Sequence, residues 1–220
     1  MPLTKHQEQT AQFRPEPILR QLQQHIKTLL EIDGRAAIVV PDNVLFEGGA
    51  GETVRKNLLQ QCDVHTLLRL PTGIFYAQGV KANVLFLENK PAQEKPWTKK
   101  LWVYDLRTNK HFTLKTNPLK RSDLDEFVTL YKPEDPRAKR RSNWSEDKKR
   151  GTSPEGRWRS FTYDEIIKRD KANLDIFWLK DDSLEDSENL PAPDILAQEI
   201  VDDLQTALEH FANITAELKE

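Results

Sequence analysis

Three groups of residues in this sequence have the types and spacing to hold a ligand. The first is Pro41-Asp42-Asn43, an acid and an amide directly after the apolar run AAIVV. If that run is a parallel strand, the two side chains sit at its C-terminal end, where such sheets gather ligands, and Asp42 or Asn43 would line a cleft. Capping of the next turn explains them equally well. The second is the glycine-rich FEGGAGE, Phe46 to Glu52, which leads into a helical pattern. Backbone N–H groups at a helix start can bind an anion. The segment lacks the lysine of a triphosphate site, and a turn needing positive φ at Gly48, Gly49 or Gly51 accounts for the glycines as well. The third is the basic run Lys132 to Arg159, with ten Lys/Arg against five Asp/Glu. Arg137, Lys139, Arg140, Arg141, Lys148, Lys149 and Arg150 are candidates for phosphate contacts there. The alternative is a solvated charge run.

The standard catalytic signatures do not occur. The sequence holds no GxGxxG, no GxxxxGK[ST], no HExxH and no cysteine pair, so no metal site is evident. Its five histidines are scattered. The single cysteine, Cys62, falls between an apparent helix and a strand and reads as a small buried apolar residue.

The elements that must position these groups follow from periodicity. Ile18, Leu19, Leu22, Ile26, Leu29 and Leu30 recur at helical spacing and predict a helix over Glu16–Glu31, ended by Asp33-Gly34. Ala36 to Val40 is apolar without alternation, which predicts a strand buried on both faces of a parallel sheet. A helix over Glu52–Gln61 and strands over Val64–Leu70 and Ala82–Glu88 come next. That order is the back end of a doubly wound α/β sheet. Leu101 to Leu106 predicts a further strand, with His111 to Leu114 as its hairpin partner. Lys132 to Arg159, rich in Pro, Ser and charge, reads as a flexible, surface-exposed linker.

The predicted organisation is therefore an N-terminal segment (1–17), half of an α/β domain (18–89), a peripheral hairpin (90–130), a basic linker (131–160) and a C-terminal helical region (161–220). In that last region Val201, Leu204, Leu208, Phe211 and Leu218 form a heptad-like seam. Such a seam predicts a helix that docks another subunit; packing back on its own domain is the alternative. Asp181 to Glu220 carries twelve Asp/Glu against one Lys, so direct contact of this tail with DNA is not expected. Of the 220 residues 37% are hydrophobic and 31% charged, and no run reaches signal-peptide or membrane-spanning length, which points to the cytoplasm.

Five blocks occur in this order: PDNVLFEGGAGETVRKNLL, HTLLRLPTGIFYAQGVKANVLFL, LWVYDLRTN, WRSFTYDEIIKRD and FWLKDDSLEDSENLP. Together they resemble the modification (M) subunit of type I restriction-modification systems, an adenine-N6 DNA methyltransferase that uses S-adenosylmethionine. The resemblance runs from about Leu22 to the C-terminus; the first twenty or so residues match nothing in it. It implies a Rossmann-like methyltransferase sheet, entered at its C-terminal half. It also implies two motifs that the sequence does not contain: a glycine loop for the cofactor and the catalytic Asn-Pro-Pro-Phe. No Pro-Pro pair occurs anywhere in the chain. The chain alone is thus expected to be inactive and not to bind S-adenosylmethionine tightly, and no catalytic residue is assigned.

An adenine must leave the duplex to be methylated. By position in the family Phe75, with its neighbour Tyr76, is the aromatic residue that would stack on the flipped base, unless Phe75 fills its own loop. The resemblance implies a specificity subunit, a restriction subunit and DNA as partners, with the seam docking the specificity subunit. A non-catalytic assembly or regulatory module is the alternative. Half a sheet would also leave Ala36–Val40 as an exposed edge, open to self-association.

Overall fold

Residues 29–76, 80–132, 137–147 and 152–181, together with Val201, are described in the computed structural model. The chain divides into two compact units, Met1–Lys180 and Asp181–Glu220. In the second, Val201 is helical and half exposed. The other seam residues, Leu204, Leu208, Phe211 and Leu218, lie outside the described residues. So does most of the predicted Glu16–Glu31 helix; of its described residues Leu29 is helical, whereas Leu30 and Glu31 are not, so the helix ends earlier than expected.

The first unit is built on one mixed sheet. Its elements are β1 (Arg35–Pro41), α1 (Asn43–Phe46), α2 (Ala50–Gln61), β2 (Cys62–Arg69), β3 (Ala82–Asn89), β4 (Lys100–Asp105), α3 (Asp125–Tyr131), β5 (Trp158–Thr162) and α4 (Tyr163–Lys168). The strand order is β1-β3-β2-β4-β5. β3 runs antiparallel to both β1 and β2, so those two are parallel to each other but not adjacent. β2 and β4 are paired in parallel, and β5 closes on β4 antiparallel.

The sheet is therefore mixed rather than purely parallel, and the chain explains why. A parallel return from β2 needs a crossover, usually a helix. The connection Leu70–Lys81 contains Pro71, Gly73 and Gly79 and forms no helix among its described residues. The chain turns back and β3 fills the gap between β1 and β2.

Alternation along β4 covers both faces of the sheet. Leu101 and Val103 point to one core with Leu58, Leu59, Val64, Leu67, Leu85, Leu87 and Ile166, roofed by α2 and α4. Trp102 and Tyr104 point to the other with Leu68, Phe127 and Trp158, roofed by α3. β2 lies near the middle and is almost wholly buried. Cys62 is a fully buried thiol in the first core.

Three sequence-based expectations need correction. His111–Leu114 is not a strand and makes no hairpin with β4; β2 and β5 already occupy both edges of β4. The stretch 131–160 is not an exposed linker throughout: Arg140 and Trp158 are buried, and Trp158 opens β5. The boundary at 161 accordingly falls inside a strand. β1 is not buried on both faces: Ala37 is exposed and Val39 is 61% exposed. Among the described residues its one strand neighbour is β3.

Candidate functional site

The C-terminal ends of β1, β2 and β4 point to the same edge of the sheet, because those three strands run in one direction. Asp42 follows β1, Leu70 follows β2, and Arg107 follows β4. Arg107 holds the three together. Its terminal nitrogens donate to both Asp42 oxygens, at 2.7 and 2.9 Å, a fork-to-fork pair. Its Nε donates to the Leu70 carbonyl at 2.8 Å, and Nη2 also reaches the Ala82 carbonyl at 3.0 Å. Asn83 of β3 donates to Asp42 Oδ1 at 2.7 Å. Burial pushes the Asp42 carboxyl up, but the hydrogen bonds from Arg107 and Asn83 and the charges of Arg107 and Arg69 outweigh it, so its pKa lies below the ordinary value.

Beneath this clamp lies a second buried network. Arg69, at the end of β2, pairs with Asp105, its register partner in β4, at 2.9 Å. It also pairs with Asp175 at 3.1 Å, and its guanidinium lies 4.1 Å from the Phe177 ring centroid. Burial raises the Asp175 pKa despite Arg69. Asp105 accepts in turn from the backbone N–H groups of Arg107 and Thr108, both at 2.8 Å. That fixes the turn from which Arg107 reaches Asp42.

The network decides what Asp42 does. Its charge is taken up by Arg107, which makes Asp42 a structural partner of the clamp. Asn43 stands one residue further, half-buried at the start of α1, and its side chain makes no hydrogen bond among the described residues. Phe75 is partly buried against the second core, as a residue filling its own loop would be. Tyr76 beside it is 96% exposed. The loop that carries them is held tightly at Gly73, where φ is +80° and an added Cβ would lie 1.9 Å from the Phe112 carbonyl oxygen. The glycine-rich segment does require one left-handed residue, Gly49 at φ +61°. The carbonyl rim around α2 is bound by Arg55, which donates to the Val44, Glu47, Lys171 and Ala172 oxygens.

The basic candidates divide. Arg137 forms ion pairs with Asp63 and Glu88, and buried Arg140 donates to Thr66 Oγ1 at 3.0 Å. Lys139 and Arg141 are exposed, and Lys148, Lys149 and Arg150 lie outside the described residues. No group of His, Cys, Asp and Glu that could hold a metal occurs among the described residues.

The clamp partners Asn83 and Arg107, and the pair Arg69–Asp105, were not singled out from the sequence. A signal existed. Arg69 in HTLLRL and Asp105 in LWVYDL are charges inside strongly apolar strands, and a charge buried there needs a partner.

Comparison with known proteins places this architecture. A family model described as N-6 DNA methylase matches residues 10–176, reaching back into the N-terminal stretch that the five blocks leave unmatched. The type I restriction enzyme StySJI methylase subunit of Salmonella typhimurium is 44% identical over 215 residues, 89% of this chain and 40% of that protein. The crystal structure of the type I restriction enzyme EcoKI M protein superposes with a TM-score of 0.63 at 41% identity, over 90% of this chain and 44% of the other. A structure described as showing complex assembly and conformational transition of the type I R-M system gives a TM-score of 0.55 at 25% identity, over 90% and 39%. The chain thus spans about 40% of the length of the methylase subunits that it matches.

Proposed function

This chain belongs to the N-6 DNA methylase family, and from that premise we propose that it supplies the C-terminal part of the adenine-N6 DNA methyltransferase of a type I modification subunit. The observation that carries the reading is the Arg107 clamp. It holds the ends of β1, β2 and β4 in fixed positions at the sheet edge where ligands of α/β sheets gather, and a flipped base needs such a pocket wall. In this reading Asn43 and the exposed Tyr76 face the base, Phe75 reaches it only with the part of its ring that the second core leaves uncovered, and Asp42 keeps Asn43 in place rather than touching substrate. The loop that binds S-adenosylmethionine and the Asn-Pro-Pro-Phe group would be supplied by a segment other than these 220 residues. The chain by itself is inactive. In the assembled enzyme it works in the cytoplasm with DNA, a specificity subunit and a restriction subunit.

The test is complementation. The chain is mixed with a separately produced segment bearing the glycine loop and Asn-Pro-Pro-Phe, together with a specificity subunit. Transfer of labelled methyl groups to duplex DNA is then measured. Transfer only when every component is present supports the reading; transfer by the chain alone overturns it.

A second reading is a non-catalytic assembly or regulatory module that docks a specificity subunit through its C-terminal seam. It is favoured by the division of Asp181–Glu220 into its own compact unit. Deleting Val201 to Glu220 would abolish retention of the specificity subunit in a pull-down; unchanged retention contradicts it.

A further inference from the structure

The connection from β4 to α3 runs through Leu106–Ser122, a stretch with five Lys/Arg and no Asp or Glu. Its base is fixed. Buried Asp105 accepts from the N–H groups of Arg107 and Thr108, and Arg157 donates to the Thr108 carbonyl at 2.9 Å. The Phe112 backbone lies against Gly73, and Leu119 packs on the second core. The tip closes on itself. The Thr113 N–H donates to the Asn117 carbonyl at 2.9 Å, and the Thr113 hydroxyl accepts from the N–H groups of Thr116 and Asn117, at 3.1 and 2.8 Å. The Asn117 amide donates to the His111 carbonyl at 2.6 Å. These bonds give the loop a defined shape without a strand partner.

What the loop presents outward is charge. Lys110, Lys115 and Lys120 are exposed, and none of them forms an ion pair among the described residues. The two arginines of the stretch are engaged, Arg107 by Asp42 and Arg121 by Asp125. Lys81, exposed at the turn into β3, adds a further lysine at the same edge of the sheet. Its carbonyl accepts from the Asp42 N–H at 3.1 Å. Its charge reaches Asp175, a carboxylate that is already paired with Arg69.

Position matters as much as charge. At Gly73 the loop packs against the segment that carries Phe75 and Tyr76, beside the converging ends of β1, β2 and β4. We infer that the 106–122 loop, with Lys81, is the surface that holds a DNA backbone, gripping phosphates of the strand whose base enters the adjacent site. A backbone suits it better than an acidic protein. The loop is of one sign throughout, as is a polymer with a phosphate at every step, and lysine takes up phosphate as a point charge without a fixed geometry. A tip already held by its own hydrogen bonds also loses little freedom on binding. The basic run Lys132–Arg159 is less suited, because Arg137 is spent on Asp63 and Glu88 and Arg140 is buried. The choice of DNA rests on the function proposed above; the charge and shape of the surface do not.

The test titrates the full chain into a fluorescein-labelled random-sequence DNA duplex and follows anisotropy over a range of salt concentrations. K110E/K115E is compared with K132E/K139E, an equal change of charge at two exposed lysines of the basic run. Circular dichroism checks the fold, and K110Q/K115Q carries the comparison if the reversed pair loses it. The expected result is a loss of about tenfold or more in K110E/K115E, with the salt slope smaller by about two units, against less than about threefold in K132E/K139E. No duplex binding, equal losses in the two variants, or poly-glutamate bound as tightly as the duplex overturns the inference. The complementation assay keeps it apart from the function. Binding that K110E/K115E weakens, without methyl transfer by the complemented enzyme, supports the surface and overturns the function. Methyl transfer whose KM for DNA is the same in K110E/K115E supports the function and overturns the surface.

Discussion

At the residue scale the molecule depends on a few charges held where water cannot reach. Arg107 touches Asp42, Leu70, Ala82 and Asn83, so its loss is felt on three strands at once. Arg107→Met would leave the Asp42 carboxylate buried without its cation, at a cost of about 3–5 kcal/mol in denaturant unfolding. The acid limb of stability would change as well. The Asp42 pKa is depressed in the folded state, so its contribution is present above the ordinary carboxylate value and is lost as pH falls through the folded one. In Arg107→Met that loss disappears.

His65 has the opposite chemistry but the same sign of pH dependence. Its imidazole titrates near 3 when folded and near 6.5 when unfolded. Between those values the unfolded chain binds the extra proton, so stability falls as pH is lowered below about 6.5. His65→Gln should flatten the pH–stability slope between about pH 6 and 4. An unchanged slope would show that His65 is not the group responsible.

At the scale of elements, most of the sheet was legible. Strands expected at Ala36–Val40, Val64–Leu70, Ala82–Glu88 and Leu101–Leu106 form at Arg35–Pro41, Cys62–Arg69, Ala82–Asn89 and Lys100–Asp105. Each is an apolar run bounded by turn residues, and that pattern is local. β5 was not legible because its signal is weak: Trp158 and Phe161 stand among Arg, Ser and Thr, in a stretch whose composition says linker. It becomes a strand because β4 offers an unpaired edge and a Trp102 ring for Trp158 to stack on, with centroids 5.3 Å apart. The order of the strands was not legible either, because pairing is decided by connection geometry and not by periodicity.

The site divides in the same way. Asp42 and Asn43 could be placed at a strand end, but the role of Asp42 depends on Arg107, sixty-odd residues away, which no local pattern links to it. Arg55 is the clearest case of a long-range tie. It carries four carbonyl bonds that tie α2 to α1, to the loop between them and to the left-handed turn at Lys171–Ala172. Arg55→Met should cost on the order of 3 kcal/mol or more in unfolding free energy, since buried carbonyls lose a charged donor. A change below about 1 kcal/mol would mean that water replaces it.

At the scale of the whole molecule, the prediction concerns β1, whose one strand neighbour among the described residues is β3. Val39 is exposed on a strand that has, among the described residues, a partner on one side alone. Such an edge pairs with other chains. The chain should therefore associate in a concentration-dependent way in sedimentation, and Val39→Lys should shift it toward monomer. A clean monomer at every concentration would count against an open edge.

In the function proposed above, a fixed wall of strand ends without Asn-Pro-Pro-Phe completes a methyltransferase whose remaining part lies elsewhere. Isothermal titration of S-adenosylmethionine into the isolated 220-residue chain tests this most directly. No measurable heat of binding is expected at micromolar concentrations; a micromolar Kd would mean that the chain carries a cofactor site of its own.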